Sequence, residues 1–474
     1  MFLLDRISML PAALLLLLNA ALTAAQTRKS LTAGWVTPID TPPNPPFFTL
    51  PTADQLAVSI ALCSGTTDTP IPRFFLTNGS STASPGPDGG TDVVEIVLDH
   101  GHGSWTGPFP SGGVLGVLNA AQMPFEIGVS EGVPIHQSDD SAALLGDTTS
   151  TQALLFSPAF SPPDIQDPKY PNYTLPAAIP SLPAAPSDPK NYTLIVSPTS
   201  NGLTSMQQTA CALSKQKSTG VVAKQSLWLR DSSGWRTEWF MTGLTANTNY
   251  TAYVILDAYK VTRPIFFTTK QSTFPCSLVS QLPYCPSIAY AVPLPPPPSP
   301  ALTYDGTNLP ASISTPLIST LTNFTTTLTT FACGRDFYSP LVSCADCQRA
   351  YRTWLCAVSL SRCADAPSSP SSSPSSAPPG PALLTAQSPS ARNAGFSSSG
   401  VSTYTQLLPC LETCTATDRA CPSFLGFRCP LPRFNAAQSY GVGFVDSGAD
   451  GVMGGGSTGQ WADEYGNVWC NSGT

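Results

Sequence analysis

Cys344-Ala345-Asp346-Cys347-Gln348-Arg349-Ala350-Tyr351-Arg352-Thr353-Trp354-Leu355-Cys356-Ala357-Val358 sets Cys347, Tyr351, Trp354, Leu355 and Val358 on one face at helical spacing. Leu407, Cys410, Leu411 and Cys414 repeat that spacing further on. Cysteines on the buried faces of short helices would staple those helices together. From Cys333 to Cys470 lie ten of the 14 cysteines: Cys333, Cys344, Cys347, Cys356, Cys363, Cys410, Cys414, Cys421, Cys429 and Cys470. A Ser/Pro insert, 364–400, interrupts them and is expected to be disordered, because it cannot bury enough apolar surface to offset its entropy. The stretch 330–474 is therefore expected to be a helical, disulfide-rich domain.

Upstream the pattern changes. Leu56 to Cys63, Arg73 to Thr77, Val93 to Leu98, Val114 to Leu118, Phe125 to Val129 and Ala153 to Phe156 are short apolar runs separated by Gly/Pro clusters. They predict an all-β sandwich or jelly-roll-like domain over 30–160. A second β domain is expected over 190–272, from Tyr192 to Val196, Ser226 to Arg230, Arg236 to Met241 and Tyr250 to Leu256. Within it Leu244 to Val254 resembles the turn and strand of a fibronectin type III sandwich, with Tyr250 placed as a tyrosine corner. The Pro-rich segment Pro293-Leu294-Pro295-Pro296-Pro297-Pro298-Ser299-Pro300 predicts an extended linker over 291–312.

Residues 1–25, with the apolar run Leu14 to Leu18 and the small residues Thr23-Ala24-Ala25, read as a signal peptide, or as an anchor if uncleaved. The polar stretch Val468 to Thr474 has no hydrophobic tail of the kind a lipid-anchor signal needs. A secreted chain meets an oxidising lumen, so Cys63, Cys211, Cys276 and Cys285 are expected to join the other ten in disulfides. Asn78, Asn172, Asn191, Asn249 and Asn323 head five Asn-x-Ser/Thr glycosylation sequons, which fit the same compartment. Only 11% of the 474 residues are charged and the net charge is −7, which speaks against nucleic acid and anionic membrane surfaces as partners.

No constellation argues for catalysis or a cofactor. Cys344-x-x-Cys347 with Cys410-x-x-x-Cys414 has the spacing of a tetrahedral zinc site, but the compartment favours oxidation. Asp99-His100-Gly101-His102 holds the only close histidine pair and reads better as a Gly turn between strands than as a metal site. Asp446-x-Gly448-x-Asp450-Gly451 departs from a calcium loop where Gly448 and Ser457 replace oxygen ligands. There is no nucleophile elbow, phosphate loop or HExxH, and Glu95 and Asp99 are isolated acids.

Tyr338 to Val358 with Arg362-Cys363, the terminal stretches Tyr440 to Gly448 and Tyr465 to Asn471, and Leu62-Cys63-Ser64-Gly65 together resemble the fungal stretch-activated calcium channel component, the mating-pheromone-induced-death family. The resemblance implies a regulatory subunit of the high-affinity calcium influx system. It would act at the extracellular face of the plasma membrane and in the endoplasmic reticulum, partnered by a four-repeat voltage-gated-type calcium channel α-subunit. It implies a frizzled-like fold for the cysteine-rich domain, which would dock on the pore subunit and supply most of the membrane association. On the helix from Ala345 to Val358, Arg349 and Arg352 are expected to face outward as a candidate partner interface while Tyr351 and Trp354 pack inward. The alternative is a cell-wall adhesin or wall-sensing glycoprotein, for which β-sandwiches, glycans and Ser/Pro tracts are common equipment.

Overall fold

The structure is a computed structural model that describes residues 28–66, 70–79, 84–89, 92–164, 173–333, 335–365, 381–387, 396, 401–431, 433–443, 462 and 467–473. The candidate signal peptide, Asn172 and the Asp446–Gly451 loop lie outside these residues. The chain divides into two compact units. The first comprises Met1–Ser138, Ser205–Gln216 and Ala258–Val261, and the second comprises Asp139–Thr204, Lys217–Asp257 and Thr262–Thr474.

In the first unit the short apolar runs become β3 (Ala53–Leu62), β4 (Arg73–Thr77), β5 (Val94–Ile96), β7 (Gly113–Leu118) and β8 (Phe125–Glu131), and three further strands join them, β1 (Trp35–Ile39), β2 (Phe47–Leu50) and β6 (His102–Phe109). They form two sheets in the orders β2-β7-β4-β5 and β1-β8-β3-β6, with Lys29–Ser30 running parallel to β2. Phe48, Phe74 and Leu115 from one sheet and Val58, Ile60 and Ile127 from the other share a core. The period-2 spacing of Leu56, Val58, Ile60 and Leu62 puts all four on that core. The segment Ser205–Gln216 joins this unit through a short helix, α1 (Ala210–Ser214). Thr209 caps the helix by accepting from the Ala212 N–H (3.2 Å), and its hydroxyl donates to the Leu62 carbonyl. The Cys63–Cys211 disulfide closes the attachment.

The second unit starts earlier than the sequence spacing suggests. β9 (Leu144–Thr148) and β10 (Ala153–Phe156), grouped with the first sandwich on sequence grounds, extend a sheet with β12 (Val221–Asp231) and β13 (Gly234–Thr242), in the order β9-β10-β13-β12. A second sheet pairs β14 (Asn249–Leu256) with β11 (Tyr192–Pro198) and β15 (Ile265–Thr268). Leu155, Trp239 and Met241 meet Val196, Tyr250 and Val254 in the core between these sheets. On the other face of β10 and β13, Leu154, Phe156 and Phe240 pack with Cys276, Leu278, Cys363 and Tyr404. Both faces are covered, which is why β13 is buried almost continuously and shows no alternation.

Two expectations are corrected here. The Pro-rich stretch 291–312 is not an open spacer: β17 (Tyr290–Val292) pairs with β16 (Ser277–Val279), and Leu294, Tyr304 and Leu309 are buried with the residues of the helical region. The burial comes at the ends of the run, through Tyr290 to Leu294 on one side and Tyr304 and Leu309 on the other, while Pro295, Pro296, Pro298 and Pro300 between them stay exposed as the extended Pro-rich backbone predicts. Of the insert, 366–380, 388–395 and 397–400 lie outside the described residues, and the described part is ordered against its surroundings. β19 (Leu383–Gln387) pairs with β20 (Thr403–Leu407), which also pairs with β18 (Arg362–Ala364), and Phe396 is buried. Two apolar anchors in a Ser/Pro tract suffice where a neighbouring edge and core can receive them. Leu407 therefore ends a strand, and the helix with Cys414 begins at Leu411.

Candidate partner interface in the cysteine-rich region

The longer helices of this region are α2 (Ala311–Thr329), α3 (Cys344–Ser359) and α4 (Leu411–Ala420), followed by a single turn at Ala436–Ser439. α3 starts at a capping box, in which the Ser343 hydroxyl accepts from the Asp346 N–H (3.3 Å) and the Asp346 carboxylate accepts from the Ser343 N–H (2.7 Å). Burial pushes the Asp346 carboxyl up, but the Ser343 bonds and Arg349 outweigh it and hold the group below its ordinary range.

All fourteen cysteines are paired. Besides Cys63–Cys211, the bonds are Cys276–Cys363, Cys285–Cys356, Cys333–Cys344, Cys347–Cys421, Cys410–Cys470 and Cys414–Cys429. Cys344, Cys347 and Cys356 each send α3 to a different segment, and Cys276 and Cys285 tie the region to the strands before it. With every sulfur in a disulfide, the Cys344-x-x-Cys347 spacing has no thiolate to offer a metal.

α3 is the centre of the region rather than its outer surface. Cys344, Ala345, Cys347, Gln348, Leu355, Cys356 and Ala357 are buried, and Arg349 is the helix residue that stands exposed. Tyr351 stacks on Phe324 at 3.6 Å, Trp354 meets Phe427 edge-on at 4.9 Å, and the Trp354 indole donates to the Tyr440 hydroxyl at 2.9 Å. The inward packing of Tyr351 and Trp354 follows from the helical spacing.

The outward placement of Arg352 does not hold. Its guanidinium donates to the carbonyls of Ala178 (2.7 Å), Tyr284 (2.9 Å) and Ala177 (3.1 Å), and burial pushes its pKa down to about 10. Gln348 works beside it, donating to the Pro176 carbonyl at 2.6 Å and to the Thr325 hydroxyl at 2.9 Å. A planar five-donor group can satisfy several loop carbonyls at once, so Arg352 holds the 176–178 segment and the Tyr284 turn against the helix. Arg349 does face out, paired with Asp346 one turn back. Exposed apolar side chains instead lie on two stretches beside the disulfides, Phe337 and Leu341 between Cys333 and Cys344, Phe424 between Cys421 and Cys429, and Leu431 and Phe434 just after Cys429.

Polar groups in the core of this unit form a lock. Asp147, fully buried, accepts from Arg362 Nε at 3.0 Å and lies 3.5 Å from Lys270 Nζ. Burial alone would raise the Asp147 carboxyl; Arg362 and Lys270 hold it below its ordinary range. The Asn471 amide donates to the Tyr290 hydroxyl (3.1 Å) and to the Ala357 carbonyl (3.2 Å), which seats the Cys410–Cys470 strand pair on α3.

In the first unit the Asp99-His100-Gly101-His102 stretch is a two-residue hairpin turn. The Asp99 and His102 backbones exchange hydrogen bonds of 2.7 and 2.9 Å, and His100 and Gly101 take φ of 48° and 88°. A Cβ on Gly101 would come within 2.7 Å of Gln207 Oε1. The two histidines part company: His100 is exposed, while His102 Nε2 meets the Gln208 carbonyl at 2.6 Å. A third constellation escaped the sequence reading. Ser59 Oγ is 3.1 Å from His136 Nδ1, and His136 Nε2 is 3.3 Å from Glu126 Oε2. Ser59 and His136 are buried, so the trio serves as a polar staple between β3, β8 and the following loop. Its members are scattered in sequence with no motif spacing, and only the sheet register gathers them.

A β-rich chain with seven disulfides, a helical cysteine-rich region and, among the described residues, no helix long and apolar enough to cross a membrane is the kind of protein made for an oxidising compartment. Residues 59–453 match the family model of the stretch-activated Ca2+-permeable channel component, and the chain belongs to that family. It is 36% identical over 388 residues to the stretch-activated cation channel MID1 of Cryptococcus neoformans, covering 73% of this chain and 62% of that protein. It is 30% identical over 263 residues to MID1 of Saccharomyces cerevisiae, covering 51% of this chain and 45% of that protein. To the stretch-activated cation channel yam8 of Schizosaccharomyces pombe it is 28% identical over 294 residues, 55% of each. The matched part thus spans less than two thirds of these relatives.

Proposed function

We propose that this chain is an extracytoplasmic auxiliary subunit of a plasma-membrane calcium channel, and that its cysteine-rich region docks on a four-repeat pore-forming subunit. The observation that carries this reading is a channel-component family match on a chain whose described helices cannot line a bilayer pore and whose cysteine-rich region is a rigid, disulfide-held scaffold. Such a scaffold contributes a preformed surface, which lowers the ordering cost of association. The cysteine-rich region is read as frizzled-like. The β11–β15 part is read as fibronectin type III-like, supported by the Tyr250 hydroxyl accepting from the Thr245 N–H at 2.9 Å. Asn191, Asn249 and Asn323 are exposed and suited to glycans, whereas the Asn78 amide is engaged with the Pro108 carbonyl.

The test is affinity purification of the tagged full chain from detergent-solubilised fungal membranes, with calcium uptake measured in a deletion strain. Recovery of a four-repeat channel subunit, with uptake lost on deletion and on Cys347→Ser, is the expected result. Recovery of wall polymers without a channel subunit, with uptake intact, overturns it.

A further inference from the structure

We infer that the two neighbouring loops around 333–344 and 421–434 form a lipid-contacting tip that inserts Phe337, Leu341, Phe424 and Phe434 into the outer face of a bilayer. Leu341 is 89% exposed, Phe337 84%, Phe434 71% and Phe424 58%, values far from what water tolerates for large apolar groups gathered on two loops. The loops are neighbours. Phe331 and Phe424 rings meet at 4.3 Å, and the Tyr338 hydroxyl lies 2.6 Å from the carbonyl oxygens of both Ser343 and Ala420, with one proton to share between them. Disulfides hold most of them: Cys333–Cys344 closes the first, while Cys347–Cys421 and Cys414–Cys429 pin the part of the second that carries Phe424 to α3 and α4, and Phe434 follows beyond Cys429.

Charge selects the occupant. The chain as a whole is acidic, at −7, yet residues 331–343 and 418–434 carry four arginines against two aspartates and no lysine. Within 421–434 the charged residues are Arg428 and Arg433, the latter lying over the Phe434 ring at 5.0 Å. Protruding aromatic and leucine tips beside guanidinium groups match an interface in which rings enter the acyl boundary and guanidinium groups meet lipid phosphates.

The experiment is flotation of the purified full chain with vesicles of phosphatidylcholine, alone and mixed with phosphatidylserine. The intact chain is expected to float with both. Leu341→Ser and the pair Phe424→Ser with Phe434→Ser should each lower the bound fraction at least tenfold, while non-reducing gel mobility and protease resistance stay as in the parent. The pair Arg428→Glu with Arg433→Glu should weaken flotation and remove its salt dependence. In Phe424→Trp, brominated phosphatidylcholine should quench the added tryptophan fluorescence. No flotation of the intact chain, or flotation indifferent to the serine variants, overturns the inference. So does the case in which the serine variants abolish recovery of the channel subunit while vesicle binding is unchanged, since the loops would then be a protein-docking surface.

Discussion

The first unit and the cysteine-rich region solve the same problem by different means. In the first, two sheets share a core of nineteen buried side chains and a single disulfide, Cys63–Cys211. In the second, short helices with thin apolar faces are held by six disulfides, and the central helix α3 is sheathed by strands, loops and its own covalent bonds. The difference teaches where each part is vulnerable. A sandwich loses stability when its core is disturbed, whereas a stapled bundle loses it when covalent constraint on its unfolded state is removed.

The largest effect expected is on that contrast itself. Cys356→Ser removes the Cys285–Cys356 bond on α3 and should cost about 2–5 kcal/mol, seen as proteolysis of the cysteine-rich region while the first unit stays resistant. Equal sensitivity of both regions would break the comparison. Nearly as large, Asp147→Ala removes the buried carboxylate that faces Arg362 and Lys270 and should destabilise the second unit by about 3–5 kcal/mol in thermal melts. Arg352→Ala strips three loop carbonyls of their donor and should cost about 1–3 kcal/mol, with faster amide exchange at Ala177 and Ala178.

The pH response should sharpen the same contrast. Burial pushes the His102 imidazole down to about 4, below its ordinary 6.5. The folded state therefore prefers the neutral ring, and its contribution is complete above about pH 6.5 and is lost as the pH falls from there through about 4. The first unit should melt at progressively lower temperature across that window, and His102→Gln should flatten the dependence. Asp147 has its carboxyl held low, so its contribution to the second unit is held above its ordinary 3.8 and is lost as the pH falls from there through its depressed folded value, later than that of His102. The smallest effect belongs to Arg349→Ala, which breaks an exposed pair and should change stability by about 0.5 kcal/mol or less.

Much of the first unit was legible because β3, β4, β7 and β8 each bring a short apolar run to a shared core. β6 was not, since His102 to Phe109 carries Gly103, Gly107 and Pro108; as an edge strand it tolerates them. α2 was hidden by its threonines and by Pro316 inside the helix. It exists because Ile313, Leu317 and Leu321 pack into a core formed with Tyr290, Leu355 and Leu360, so tertiary burial overrides weak propensity. At the candidate interface the spacing placed Tyr351 and Trp354 correctly and misplaced Arg352, because periodicity marks the apolar face of a helix and is silent about what covers the other.

By itself, then, the sequence determined the β-then-helical order, the disulfide chemistry of an even cysteine set, the register of α3 and the family signature, all of which are local patterns of spacing and composition. Only the tertiary structure decided which cysteines pair, that Arg352 turns inward to loop carbonyls, that 291–312 and Phe396 enter the core, and which loops present Phe337, Leu341, Phe424 and Phe434. Each of those depends on segments far apart in the chain meeting within bonding or packing distance. The paired cysteines lie 4.5 to 6.5 Å apart at Cα across separations of up to 148 residues, a proximity set by the closure of the whole chain and written in no single stretch of it.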